Sequence, residues 1–233
     1  MSQGLLIGTV AAVELAFILG AGYSRRAYEG GRLRAGLAAA GVSLFWLVPP
    51  AWMARSGALR FDTVPPNILL VVGVLTVATV ILAFSAIGNR FRRLPLYALI
   101  GYQAFRIPVE WMLFRLHEEG VVPVQMTFAG YNYDVVTGVA AVALAFWAAR
   151  RRIPGGIVLF WNVLGLALLL NIVTIALLSA PVPFRTFTNE PANLLPLTFP
   201  YVWLPCFLVQ AALFGHIIVF RRLRHGDRLR EPW

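Results

Sequence analysis

Gln103, Arg106, Glu110 and His117 are the residues of this chain best spaced to do chemistry together. At ~100° per residue they fall within about 60° of one another on a helix. One helical face then carries an amide, a guanidinium, a carboxyl and an imidazole, a set that can hold an anionic group, exchange protons or orient a polar solute. The surrounding segment is apolar, and an ionisable side chain near a bilayer centre costs at least ~2.5–3.5 kcal/mol, so the stripe is expected to face a bundle interior or a watery cavity. Pro108 lies on the far side of the same helix, where a kink would bend the polar face without interrupting it.

Glu14, Asn171 and Gln210 interrupt other apolar runs. At ~1.5 Å per residue these three and Arg106 come out roughly 14–16 Å from the outer boundary, which predicts one polar layer with Glu110 above it and Gln103 below. Two readings follow. The residues can be inter-helix glue, each hydrogen bond contributing ~0.6–2 kcal/mol. Alternatively they line a solute, proton or ligand site open to the outside. The second is favoured by charge, because Glu14 and Glu110 would share Arg106 and leave one carboxyl without a partner.

Two long segments between apolar runs, 117–134 and 181–200, add candidates. The first has an apolar stretch too short to span and bounded by glycines, which suggests a fold back into the protein. The second holds five prolines around Asn189, Glu190 and Asn193. Asp134, Asn132 and Glu190 could form an all-oxygen site for a hard cation, but Asp134 precedes an apolar helix and reads better as its N-cap. His117 with Glu118 and Glu119 reads as a solvated helix end, not a zinc site, and no metal is expected.

The elements that must position these groups are transmembrane helices. The chain is 59% hydrophobic and 13% charged, far more apolar than an ordinary soluble domain. All twenty basic residues other than histidine are arginines, and fifteen of them fall within 25–34, 90–93, 150–152 and 221–230. Those clusters alternate with segments poor in basic residues, as the positive-inside rule requires of a polytopic protein. With about 20 apolar residues per crossing, the spans run roughly 5–22, 35–54, 66–88, 96–116, 135–149, 155–180 and 199–220. The expected fold is an all-α integral membrane protein, one domain over 1–233, a bundle of seven transmembrane helices with its N-terminus outside and its C-terminus inside. The first span has no basic segment before it and is expected to be retained. A cell inner (plasma) membrane is the expected location, and exclusive use of arginine fits a GC-rich bacterial genome.

Several chemistries drop out. The plan resembles that of the rhodopsins, but a retinal Schiff base needs a lysine and the chain has none. It also resembles the 3+1+3 sugar transporters, yet there is no likeness between spans 1–3 and 5–7. A transmembrane haem needs two histidines at one depth, whereas His117, His216 and His225 lie at different depths. Cys206 is the sole cysteine, which rules out an internal disulfide. His216 reads as a packed histidine with a hydrogen bond and not as a ligand. The net charge of +10 resides on the inner arginine rim, which points to anionic lipid as the partner there and not to nucleic acid.

The expected function is therefore to bind or translocate a small solute, with Arg106 able to attract an anionic group on it, with or without protons. The pocket would face outward, lined by the first, fourth, sixth and seventh spans and roofed by the two long loops. The alternatives are an accessory subunit with protein partners in the membrane, or an intramembrane enzyme using Glu110 and His117 as acid and base.

Overall fold

The computed structural model describes residues 2–23 and 29–224. The arginines at 25, 26, 228 and 230, and His225, lie outside the described residues. Among the described residues all regular structure is helical: α1 (Ser2–Gly22), α2 (Glu29–Arg55), α3 (Asn67–Phe84), α4 (Ala86–Phe91), α5 (Leu96–Gly101), α6 (Arg106–Glu118), α7 (Val135–Arg150), α8 (Gly155–Leu178) and α9 (Val209–Arg224). A 3-10 turn (Tyr102–Phe105) joins α5 to α6, and a π-helical turn (Leu204–Leu208) leads into α9.

Five of these helices are long and apolar enough to cross a membrane: α1, Leu33–Arg55, α3, α8 and the run Leu204–Arg224. The protein is an all-α membrane protein, and its outer surface agrees. Leu70, Val74, Val77 and Ile81 on α3 and Phe160 and Val163 on α8 are exposed, an apolar surface that suits lipid and not water. The apolar helix α7 is shorter, at 16 residues. The α5–α6 run is helical from Leu96 to Glu118 but changes pitch at the 3-10 turn. Pro108, one turn further on, has no N–H to offer the Ala104 carbonyl, which loosens the helix at this point.

Helix α9 is the hub. It packs on α3, α5 and α8, while α1 packs on α2 and α6, and α5 with its 3-10 turn packs on α7. Two apolar clusters fill the bundle. One gathers Leu6, Trp46, Ile68, Met112 and Phe207; the other gathers Phe17, Phe91, Ile100, Trp161 and Ile218. Along the α5–α6 run, Leu96 and Ile100 belong to the second cluster and Met112 and Leu116 to the first, and the polar Gln103 and Arg106 lie between them.

The two ends of the bundle differ chemically. At one end the Ser2 hydroxyl donates to Glu119 at 3.2 Å, so the start of α1 meets the loop after α6. At the other end, arginines cap helix C-termini, where the backbone dipole favours cations. Arg221 donates to the Ala83 carbonyl and, at 2.7 Å, to Asn89. Arg222 donates to the carbonyls of Arg92 and Leu94 at 3.0 and 2.5 Å. These arginines hold α9 to the α3–α5 connection in addition to any topological role.

Candidate functional site

Arg106 is 2% exposed and lies at the centre of the bundle. Its Nε donates to Gln103 Oε1 at 3.2 Å. One terminal nitrogen donates to the Asp134 carboxylate and, at 3.2 Å, to the Gly165 carbonyl. The other lies 2.9 Å from His216 Nε2. Because a guanidinium only donates, His216 Nε2 must be the acceptor and its proton sits on Nδ1. That Nδ1–H donates to Asn162 Oδ1 at 2.8 Å, and Asn162 Nδ2 donates back to the His216 carbonyl at 3.1 Å. Four of the five N–H groups of a guanidinium are thus taken by protein acceptors.

Glycines allow this approach. A Cβ on Gly165 would stand 2.6 Å from Thr137 Cγ2 and 2.7 Å from His216 Cε1. On Gly215 it would stand 2.5 Å from Gln103 Nε2, and on Gly138 2.9 Å from Ile107 Cγ1. Helices α7 and α9 therefore meet the α5–α6 run at small residues, and α8 meets α7 and α9 at Gly165, the usual means of close helix packing in membranes.

Loop 119–134 folds back into the bundle and supplies the counter-charge. Asn132 is fully buried and Asp134 nearly so. Asp134 precedes α7 as an N-cap would, but its side chain makes no cap hydrogen bond and instead goes to Arg106. Asn132 Oδ1 accepts from the Asp134 amide at 3.1 Å, and Asn132 Nδ2 donates to Glu110 Oε2 at 2.6 Å and to the Met126 carbonyl at 3.0 Å. Glu110 is 2% exposed, with Asn132 as its hydrogen-bond partner.

The expected polar layer is not one cluster. Arg106 pairs with Asp134 and not with Glu110. Glu14 accepts from Ser43 of α2 at 2.5 Å, and its Oε2 has no hydrogen-bond partner among the described residues. Gln210 belongs to a separate set with Thr76, Thr79 and Trp46: it accepts from Thr79 at 3.1 Å and donates to Thr76 at 3.2 Å and to the Pro205 carbonyl of the π-helical turn at 3.1 Å. Asn171 donates to the Tyr131 carbonyl at 2.8 Å and fixes the loop. His117 contacts the Val122 carbonyl through Nδ1 at 3.1 Å. The error in depth matching is about one helical turn, and in a bundle one turn selects a different neighbour.

The all-oxygen cation site is not assembled either. Asp134 is buried against Arg106, while the side chain of Glu190 is 72% exposed and paired with Arg185 at 3.2 Å. Asn189 donates to Gln125 at 2.9 Å and helps to tie the second loop to the first. His216, read from sequence as a packed histidine with a hydrogen bond, is buried and has Arg106 and Asn162 as its partners. Asn162 and Gly165 gave no signal beyond a polar and a small residue in an apolar run.

Beside the Arg106 cluster lies a cavity of about 180 Å³. Its walls are apolar side chains of α3, α6, α8 and the 204–212 segment, such as Val72, Leu113, Ile172 and Leu208. Phe61, Met126, Pro196 and Tyr201 of the three long loops close it at the loop end. Arg106, Glu110, Asp134 and Asn193 are its polar groups. Helix α1 has no part in it, so the pocket is lined by the third span where the first was expected, and its walls are apolar where polar ones were expected. Helices α3 and α8 both pack on α9, and the cavity lies between them, with both helices supplying wall residues.

No curated protein and no solved structure matches this chain. The profile of a domain of unknown function, DUF8737, matches residues 64–224. That stretch contains the whole Arg106 cluster and all of the cavity wall except Phe61, and omits α1 and α2. Because the match covers over two thirds of the 233 residues, the chain belongs to the DUF8737 family.

Proposed function

We propose that this protein crosses the plasma membrane seven times, with its N-terminus outside, and binds a small, largely apolar molecule within the outer half of the bundle. The arginine clusters support the orientation. The helical run 96–118 and α7 supply the two crossings beyond the five long apolar helices, since a buried ion pair inside a bundle is compatible with a span.

The observation that carries the binding reading is the cavity itself: about 180 Å³ with apolar walls, next to a buried charged cluster. A dry apolar cavity of ~150 Å³ is large enough to hold benzene. An anionic solute is not supported, because Arg106 already spends four N–H groups on protein acceptors. Binding is proposed rather than passage, because the Phe17–Phe91–Phe214 aromatic cluster, with ring centroids 5.0–5.6 Å apart, lies on the other side of the Arg106 cluster from this cavity. The enzyme alternative loses its acid–base pair, as His117 serves the Val122 turn and Glu110 serves Asn132.

Native mass spectrometry of protein released from lipid nanodiscs tests the reading. The wild type should carry a bound small molecule, and Ile172→Trp, which fills the cavity from α8, should lose it while remaining folded. Equal adducts on both proteins would place the molecule elsewhere and defeat the reading.

A further inference from the structure

The cavity's spare polar capacity is one-sided. Its cation is largely committed to the protein: Gln103, Asp134, Gly165 and His216 take four of the five N–H groups of Arg106. Asn193, by contrast, is 1% exposed and lines the cavity, yet its Oδ1 is buried with no hydrogen-bond partner among the described residues. The orientation of the amide is fixed, because Nδ2 donates to the Ala176 carbonyl of α8 at 2.9 Å. The backbone around it is also held, since the Asn193 amide donates to the Ser179 carbonyl at 2.9 Å. A buried acceptor left without a donor costs roughly 1–3 kcal/mol, and native proteins seldom retain one without a reason. Glu110 adds acceptor capacity elsewhere in the lining, since Asn132 is its one hydrogen-bond donor among the described residues.

We infer that the occupant of this cavity is an amphiphile that brings a hydrogen-bond donor, a lipid-like molecule with an uncharged hydroxyl or an amine at its polar end, and that it binds by donating to Asn193 Oδ1. This rests on the binding reading above and adds the chemical class of the ligand. The apolar walls take the hydrocarbon body. Helices α3 and α8, which wall the cavity and carry Leu70, Val74, Val77 and Leu170 exposed on their outer faces, are the side from which such a molecule would enter from the bilayer. A carboxylate or phosphate head fits poorly, because it would bring further acceptors and negative charge to a wall that already holds Asp134 and Glu110.

Three photoreactive probes with the same medium-length alkyl chain and a diazirine on it, ending in a hydroxyl, a methyl ether or a carboxylate, test this on the full chain in nanodiscs. Labelled peptides are mapped by mass spectrometry. The alcohol should label the cavity-lining segments of α3 and α8 about tenfold more than the ether or the acid, the value of one net hydrogen bond to a buried acceptor. Asn193→Leu should reduce alcohol labelling to the level of the ether and leave ether labelling unchanged. If that variant does not fold, the three-probe comparison on wild type decides alone. Equal labelling by all three probes, blocked by Ile172→Trp, would overturn the donor requirement while leaving the binding site intact. Strongest labelling by the acid would overturn it in favour of an anionic ligand. Labelling that is absent from the cavity, or unaffected by Ile172→Trp, would overturn both the inference and the reading beneath it.

Discussion

Asp134→Asn is the sharpest perturbation of the buried cluster, because it keeps the shape and an acceptor oxygen while removing the one charge paired with Arg106 among the described residues. The guanidinium is 2% exposed and the Asp134 side chain 6%, so solvent cannot replace the lost counter-charge. Breaking one side of a buried pair costs about 3–5 kcal/mol. For a chain of this size each kcal/mol lowers Tm by about 2–4 °C, so the expected loss is roughly 6–20 °C. Arg106→Leu should be worse. It leaves Gln103 Oε1, Asp134 and His216 Nε2 without a donor. At ~1–3 kcal/mol each the total approaches the whole stability of a typical fold, ~5–15 kcal/mol, so little folded protein should accumulate. Fluorescence-detected size exclusion after heating measures both variants in one detergent. An Asp134→Asn protein that melts within about 2 °C of wild type, or that melts below Arg106→Leu, would refute the argument that this pair is dry and central.

Gly165→Ala should lose about 1–3 kcal/mol by overpacking against Thr137 and His216, whereas Gly73→Ala, with nothing near its would-be Cβ, should be neutral or slightly stabilising; the same thermal assay separates them. Glu190→Gln removes an exposed pair with Arg185 and should change stability by less than about 1 kcal/mol, which a Tm shift as large as that of Asp134→Asn would contradict. In a Cys206→Ala background, a cysteine at Ser56 or Thr186 should react with an impermeant maleimide from outside, and one at Gly31 only after permeabilisation. External labelling at Gly31 would reverse the topology.

Much of the architecture was legible because length and apolarity set it directly. The helices α1, α7 and α8 begin or end within about three residues of the expected spans, and the arginine clusters at 90–93 and 221–224 do gather at one end. What periodicity could not supply was the break at Ser85, whose hydroxyl accepts from the Ile87 amide at 3.1 Å and starts α4 as a separate helix. The stripe on the fourth span was half informative. Gln103, Arg106 and Glu110 are all buried, as an ionisable face in lipid demands, but their partners came from places sequence spacing does not reach. Asp134 and Asn132 arrive through a loop that folds inward, and His216 and Asn162 arrive from helices more than fifty residues downstream. Apolar walls such as Ile172 and Leu208 carry no chemical signature, so the cavity was visible only once α3 and α8 were seen to flank α9.

The most direct test of the central claim is a structure of the full chain in a lipid nanodisc, at a resolution that shows side chains and bound lipid. The account predicts non-protein density in the cavity bounded by Phe61, Val72, Ile172 and Leu208, with its polar end against Asn193 and the Arg106–Asp134 pair intact behind it. A cavity closed by repacked side chains, with Asn193 Oδ1 paired within the protein and no density between α3 and α8, would contradict it.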